Sequence, residues 1–181
     1  MKKIIILSLL IISISNAHSD EYEKYRKGFD YISSDSVFLT AVFAKTMKFE
    51  ELPGICVSNQ IIFISNLLFI DSLYMYEHGK QKYETIDGWQ KDSMSRIMDS
   101  TQYYDNFIDS NLSKVFYNKC NGLIIFFSKI LDNKLKANVL FYKDGIFDYE
   151  LTHRNSLNFA TYLFHFKKSK IKKAFRFEFI R

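Results

Sequence analysis

The residues able to do chemistry are few and scattered. Four histidines, His18, His78, His153 and His165, are spread along the 181-residue chain, and no two stand at His-x-His or His-x-x-x-His spacing. A zinc or copper site therefore has no local ligand pair to start from, and no metal or cofactor is expected. Neither a Gly-x-Ser-x-Gly elbow nor a Ser-x-x-Lys motif in its usual surroundings is present to supply an activated serine. Six isolated glycines form no phosphate-cradling loop. Paired carboxylates occur, among them Glu50-Glu51 and Asp148/Glu150. Adjacent acids can shift each other's proton affinity and support acid–base work. They occur more often as a solvated helix end and the wet face of a strand, so no catalytic residue is assigned.

The two cysteines, Cys56 and Cys120, lack histidines at ligand spacing. In an exported chain such a pair reads as one disulfide. Closing a loop of about 64 residues would stabilise the fold by roughly 4 kcal/mol through lost chain entropy.

Export is itself the plainest expectation. Lys2 and Lys3 precede the apolar run Ile4 to Ile14, and Ser15-Asn16-Ala17 places small residues where signal peptidase reads them. The run is about a dozen residues, short of the roughly 20 needed to span a bilayer. Residues 1–17 are read as a signal peptide cleaved near Ala17, and residues 18–181 as one mature domain in the periplasm or outside the cell.

Charge is divided unevenly. Residues 151–181 hold eight Lys/Arg and a single acid, Glu178, whereas acids outnumber bases before them. Lys167, Lys168, Lys170, Lys172, Lys173 and Arg176 form a candidate patch for anions or a partner. The plainer alternative is a solvated turn whose lysines discourage edge pairing. Aromatic residues make up 17% of the chain. Trp89, Tyr103, Tyr104 and Tyr142 are candidate interface anchors, although AT-rich coding would also raise Phe and Tyr.

These residues need positions. Tyr22, Tyr25, Phe29 and Ile32 recur every three or four residues, which predicts an amphipathic helix. Ser34-Asp35-Ser36 can cap a second helix carrying Leu39, Val42, Phe43 and Met47 and ending before Pro53. The apolar stretch from Ile55 to Tyr76 reads as a long buried helix stopped at His78-Gly79. A weaker segment with Ile86, Met94, Ile97 and Met98 follows, then a helix with Tyr104, Phe107, Ile108, Leu112, Val115 and Phe116. From Gly122 the period shortens to two. Leu123–Leu131 is a nearly continuous apolar run, Asp132-Asn133 is a turn, and Leu135, Ala137, Val139 and Phe141 alternate as in a half-buried strand. Asp144-Gly145 fits a hairpin. Residues 157–166 are apolar on both faces, as in a central strand, and Phe175, Phe177 and Phe179 line one face of the last strand.

The expected fold is α+β: N-terminal amphipathic helices (about 21–118) packed on a C-terminal antiparallel β-meander of four to five strands (about 122–181). The function expected from this is a small exported binding protein that acts by protein–protein contact, as inhibitors, immunity proteins and accessory factors do. Its partner would be another envelope or extracellular protein. Weaker contact with anionic membrane or glycan is compatible with the charge, and nucleic acid is not expected. Two alternatives stay open: a carrier of a small apolar ligand or lipid in a Phe-lined pocket, and a hydrolase with a converged carboxylate site.

Overall fold

The computed structural model describes residues 20–35, 37–39, 54–62, 64, 69–85, 108–109, 112, 122–141 and 159–179. They form a mixed α+β fold built on one six-stranded sheet of order β2-β1-β3-β4-β5-β6. The strands are β1 (Gly54–Ile61), β2 (Ile108–Asp109), β3 (Gly122–Phe127), β4 (Lys134–Phe141), β5 (Phe159–Lys167) and β6 (Lys170–Phe179). Helix α1 covers residues 20–34, with a further helical turn at 37–39. Two shorter helices, α2 (Ile70–His78) and α3 (Lys80–Glu84), lie between β1 and β2.

Strands β3 to β6 are consecutive antiparallel neighbours. The sheet is nevertheless mixed, because β1 lies parallel to β3, with Gly54 opposite Gly122 and Cys56 opposite Ile124. This corrects the purely antiparallel expectation. It also corrects the long helix expected from Ile55 to Tyr76: its first third is strand and only its last part is helix. Ile55, Cys56, Val57 and Ser58 are all buried, so β1 is covered on both faces. A strand buried on both sides shows an unbroken apolar run, which periodicity does not separate from a buried helix. The expected stop is where the structure has it. Helix α2 ends at His78, and Gly79 takes φ 87° while its N–H donates to the Met75 carbonyl at 2.9 Å. A left-handed residue after a helix favours glycine, which has no Cβ to clash.

The β3–β4 connection follows from residue type. Asp132 and Asn133 both have positive φ (48° and 58°), and Leu131 and Lys134 exchange backbone hydrogen bonds across them at 2.9 and 2.7 Å. Asp and Asn adopt this left-handed conformation more readily than other non-glycine residues, and a pair of them in it matches the twist of a two-residue hairpin. Strand β4 is buried on both faces rather than half-buried. Strand β5 is central, between β4 and β6.

The larger core lies on one face of the sheet. Tyr25, Ile32 and Leu39 pack there with Leu123, Ile125, Phe127, Leu135, Ala137, Val139, Tyr162 and Phe164. Gly28 sits at the closest approach: a Cβ at that position would lie 3.1 Å from Leu135 Cδ2 and 3.3 Å from Phe127 Cε1. Tyr25, fully enclosed one turn earlier, donates its hydroxyl to the Ser128 carbonyl at 3.2 Å. On the opposite face Cys56, Ile62, Ile64, Ile124, Phe126 and Leu140 form a second cluster. Phe69 and Leu73 form a third with Leu163, and Phe175 and Phe177 pack against it. Burying each large aliphatic or aromatic side chain contributes roughly 1.5–3 kcal/mol, so these clusters fix the sheet that carries the charged residues described next.

The helix expected through Tyr104, Phe107, Ile108 and Leu112 is corrected at Ile108–Asp109, which is strand β2 paired with Ile61 and Gln60 of β1. The expected helical segments within residues 40–53 and 86–107, the Asp144-Gly145 hairpin and its strand at 147–151, and the signal peptide at residues 1–17 lie outside the described residues.

Candidate functional site

Three chain segments meet at one end of the sheet: the start of α1, the β3–β4 turn and the β5–β6 turn. The last of these is tight. Lys167 and Lys170 are opposite one another, and Lys168 and Ser169 form the turn between them, Lys168 with φ 54°. The Ser169 hydroxyl donates to Asp20 Oδ1. The other Asp20 oxygen pairs with Lys24 at 2.8 Å, and Lys24 Nζ also reaches Asn133 Oδ1 at 3.3 Å. The Phe166 N–H closes the ring on the Asn133 carbonyl at 2.8 Å. The hairpin is therefore held by side chains and backbone from two other elements. Hydrogen bonds from Lys24 and then Ser169 hold the Asp20 carboxyl below its ordinary proton affinity.

This bracing leaves most of the lysines uncompensated. Lys24 is matched by Asp20, and Lys134 by Glu77 at 2.9 Å. Among the described residues, Lys167, Lys168, Lys170 and Lys172 make no ion pair. Lys173 lies over the Phe175 ring, 5.7 Å from its centre. A bulge between His165 and Phe166 shifts the register here, so that Lys173 stands opposite His165 and Ile171 opposite Phe166, with Lys172 between. His165 is consequently flanked by Lys134 on β4 and Lys173 on β6. Its ring meets Tyr76 edge-on at 5.5 Å, and Tyr76 meets Phe175 at 5.9 Å. Among the described residues, His165 Nδ1 is buried without a hydrogen-bond partner.

Arg176, grouped by sequence with the lysines, belongs elsewhere. Its guanidinium pairs with Asp35 at 2.7 Å and Glu178 at 3.4 Å, and lies 3.3 Å from the centre of the Phe38 ring. Asp35 also accepts the Tyr162 hydroxyl at 3.1 Å. The Tyr162 phenol is pushed far above its ordinary pKa, first by burial and then by the Asp35 charge, so it stays protonated as a donor. Arg176 thus ties β6 to the end of α1, and the patch proper is the five lysines of the hairpin.

Cys56 is buried on β1, not on a helix, among Ile62, Ile64, Ile124 and Phe126. No cysteine among the described residues is free. Cys120, Trp89, Tyr103, Tyr104, Tyr142, Glu50, Glu51, Asp148 and Glu150 lie outside the described residues, as do His18 and His153. His78 ends α2 with its ring 4.4 Å from Tyr74. Among the described residues no group of three His, Cys, Asp or Glu is placed to hold a metal ion, and no helix is long and apolar enough to cross a membrane.

The Asp35–Tyr162–Arg176 network was missed by sequence reasoning. One signal was available: a tyrosine inside a strand apolar on both faces needs an acceptor for its hydroxyl. Buried polar residues on β4 and β5 carry the same signal, and Thr161 donates to Asn138 Oδ1 at 2.8 Å.

The arrangement offers a rigid, multivalent cationic surface. Lysine ammonium groups are strongly hydrated point charges on flexible stems, suited to several weak contacts with carboxylates rather than one deep site. Comparison with protein-family models, with curated proteins and with solved structures gives no match.

Proposed function

We propose that this chain is a small exported binding protein that engages an acidic protein partner through the β5–β6 hairpin, without catalysing a reaction. One observation carries the reading. Lys167, Lys168, Lys170 and Lys172 project from a hairpin braced by α1 and the β3–β4 turn, and no described carboxylate pairs with them. A merely solubilising surface intersperses both signs, whereas a fixed one-sign cluster speeds encounter with an opposite charge and selects against like-charged partners. The signal-peptide pattern at residues 1–17 supports export. The presence of only two cysteines, with no free one described, supports a Cys56–Cys120 bridge between β1 and the approach to β3. The expected packing of the N-terminal helices on the sheet gives the hairpin its support in this reading.

The test is affinity capture from the producing cells with the mature chain tagged at Arg181, beside a variant in which Lys167, Lys168, Lys170 and Lys172 are changed to Glu. A single protein recovered in stoichiometric amount by the wild type, and lost with the variant and in about 0.5 M salt, supports the reading. Equal recovery by both proteins, or recovery of none, refutes it.

A further inference from the structure

The ladder sorts the hairpin lysines by face, which their order along the chain does not show. Alternate residues of a strand share a face, and so do residues directly opposite one another. Leu163, His165 and Lys167 of β5 therefore share one face with their partners Phe175, Lys173 and Lys170 on β6. Lys134 of β4, opposite His165, joins them. Lys168 stands apart, because it lies in the turn and has no cross-strand partner.

Two rows of basic side chains result. Lys134, His165 and Lys173 cross three strands, and Lys167 and Lys170 form the next row. Neighbours within a row stand about 5 Å apart, and the rows about 7 Å apart. Like charges directly opposite one another destabilise a sheet, so this grid is complementary to anions. Helix α2 offsets part of the first row: Glu77, in its last turn, pairs with Lys134 at 2.9 Å. Lys167, Lys170 and Lys173 are exposed and meet no described carboxylate. Tyr76 borders the same face. Its ring meets His165 and Phe175, yet 42% of the residue stays exposed, a condition shared among the described large hydrophobic residues only by Tyr31 and Val37. A half-open tyrosine edged by cations has the composition of an interface anchor, since its ring offers contact area and the surrounding charges set the register.

We infer that the hairpin engages its partner through this one face, with Tyr76 as the anchor, and that the partner's contact is an acidic surface whose carboxylates surround one apolar side chain. The carboxylates meet Lys167, Lys170 and Lys173, and the apolar side chain covers the open part of the Tyr76 ring. Lys168, although part of the same run, adds only to long-range attraction. The inference rests on the binding reading above and gives it a face, an anchor and a partner chemistry.

The test uses the full mature chain and two labelled peptides of equal charge, each with four glutamates on either side of one central residue, Phe in one and Ser in the other. Fluorescence anisotropy in about 0.15 M salt, where charges act over about 8 Å, should show the Phe peptide binding about fivefold more tightly. In Tyr76→Ala that preference should vanish. Single reversals that change net charge equally then locate the face: Lys167→Glu, Lys170→Glu and Lys173→Glu should each weaken the Phe peptide by about fivefold, and Lys168→Glu by less than about twofold. The wild-type comparison and the lysine variants decide the inference even if Tyr76→Ala lowers stability, which circular dichroism reports. Equal losses in all four lysine variants overturn the chosen face and leave charge-based binding standing. Equal binding of the two peptides overturns the anchor, and with it the inference. If neither peptide binds, the inference falls while the capture experiment still decides whether an acidic partner exists.

Discussion

Asp35 is the point where α1, β5 and β6 are tied by polar contacts, and its removal has a calculable cost. In Asp35→Ala the Tyr162 hydroxyl, on a side chain with no exposed surface, loses its 3.1 Å acceptor. A net hydrogen bond contributes about 1 kcal/mol, and stranding a buried hydroxyl costs about 1 kcal/mol more. The Arg176 pair adds less despite its 2.7 Å length, because the arginine side chain is 37% exposed. Screened pairs of that kind contribute about 0.5 kcal/mol. The expected loss is therefore about 2–3 kcal/mol, which lowers the melting temperature by about 5–10 °C for a chain of this size. Additivity isolates the tyrosine part. Tyr162→Phe should cost about 1 kcal/mol in the wild type and nothing, or slightly stabilise, in the Asp35→Ala background, a coupling of about 1 kcal/mol. Urea unfolding followed by circular dichroism of all four proteins at neutral pH measures it. If Tyr162→Phe costs the same with and without Asp35, the two side chains are not energetically joined and the bracing argument fails.

Other perturbations test other parts of the fold. Gly28→Ala should change stability by less than about 1 kcal/mol, because helix propensity gained offsets the 3.1 Å approach to the mobile Leu135 methyl. Gly28→Leu should cost at least about 2 kcal/mol by overpacking, read from the same denaturation curves. At the β3–β4 turn, Asn133→Gly should be tolerated, whereas Asn133→Val should destabilise by about 1 kcal/mol or more because a β-branched residue resists positive φ. Asp20 gives a pH signature of definite sign. Its folded proton affinity is depressed by Lys24 and Ser169, so its contribution is fully present above about pH 4 and fades as pH falls below that. Asp20→Asn should therefore flatten stability against pH below about pH 4 and leave the slope at neutral pH unchanged.

The elements legible in the sequence are those whose cause is local. Asp132-Asn133 announced a turn because its residue types tolerate the backbone it requires. The stripe Tyr22, Tyr25, Phe29 and Ile32 announced α1 because one face of a helix shows at period 3.6, and His78-Gly79 announced the end of α2. What was illegible depends on distant partners. Cys56 and its neighbours read as helix because a doubly buried strand has no alternation, and only the pairing with β3, 68 positions later by the Gly54–Gly122 register, makes them a strand. Arg176 read as one more lysine-like charge because its partner Asp35 lies 141 residues away. The candidate surface was half legible: the lysine run could be counted, but the bulge and the bracing that separate it from Arg176 could not.

The placement of α1 has a consequence for the order in which the chain can fold. Most of the described residues that share a core with Tyr25, Ile32 and Leu39 lie at positions 123–166, beside Ile55, Val57 and Leu112, so the first part to be synthesised lacks most of its described partners until most of the chain exists. Strands β3 and β4 can join through their two-residue turn at once, and β5 and β6 likewise. Strand β1 and α1 must wait, since closing long loops costs entropy before any contact repays it. A chain arranged this way stays open while it is being made. That is the condition in which a polypeptide can be threaded through a narrow translocation channel, with its compact form assembling only once the last hairpin has emerged.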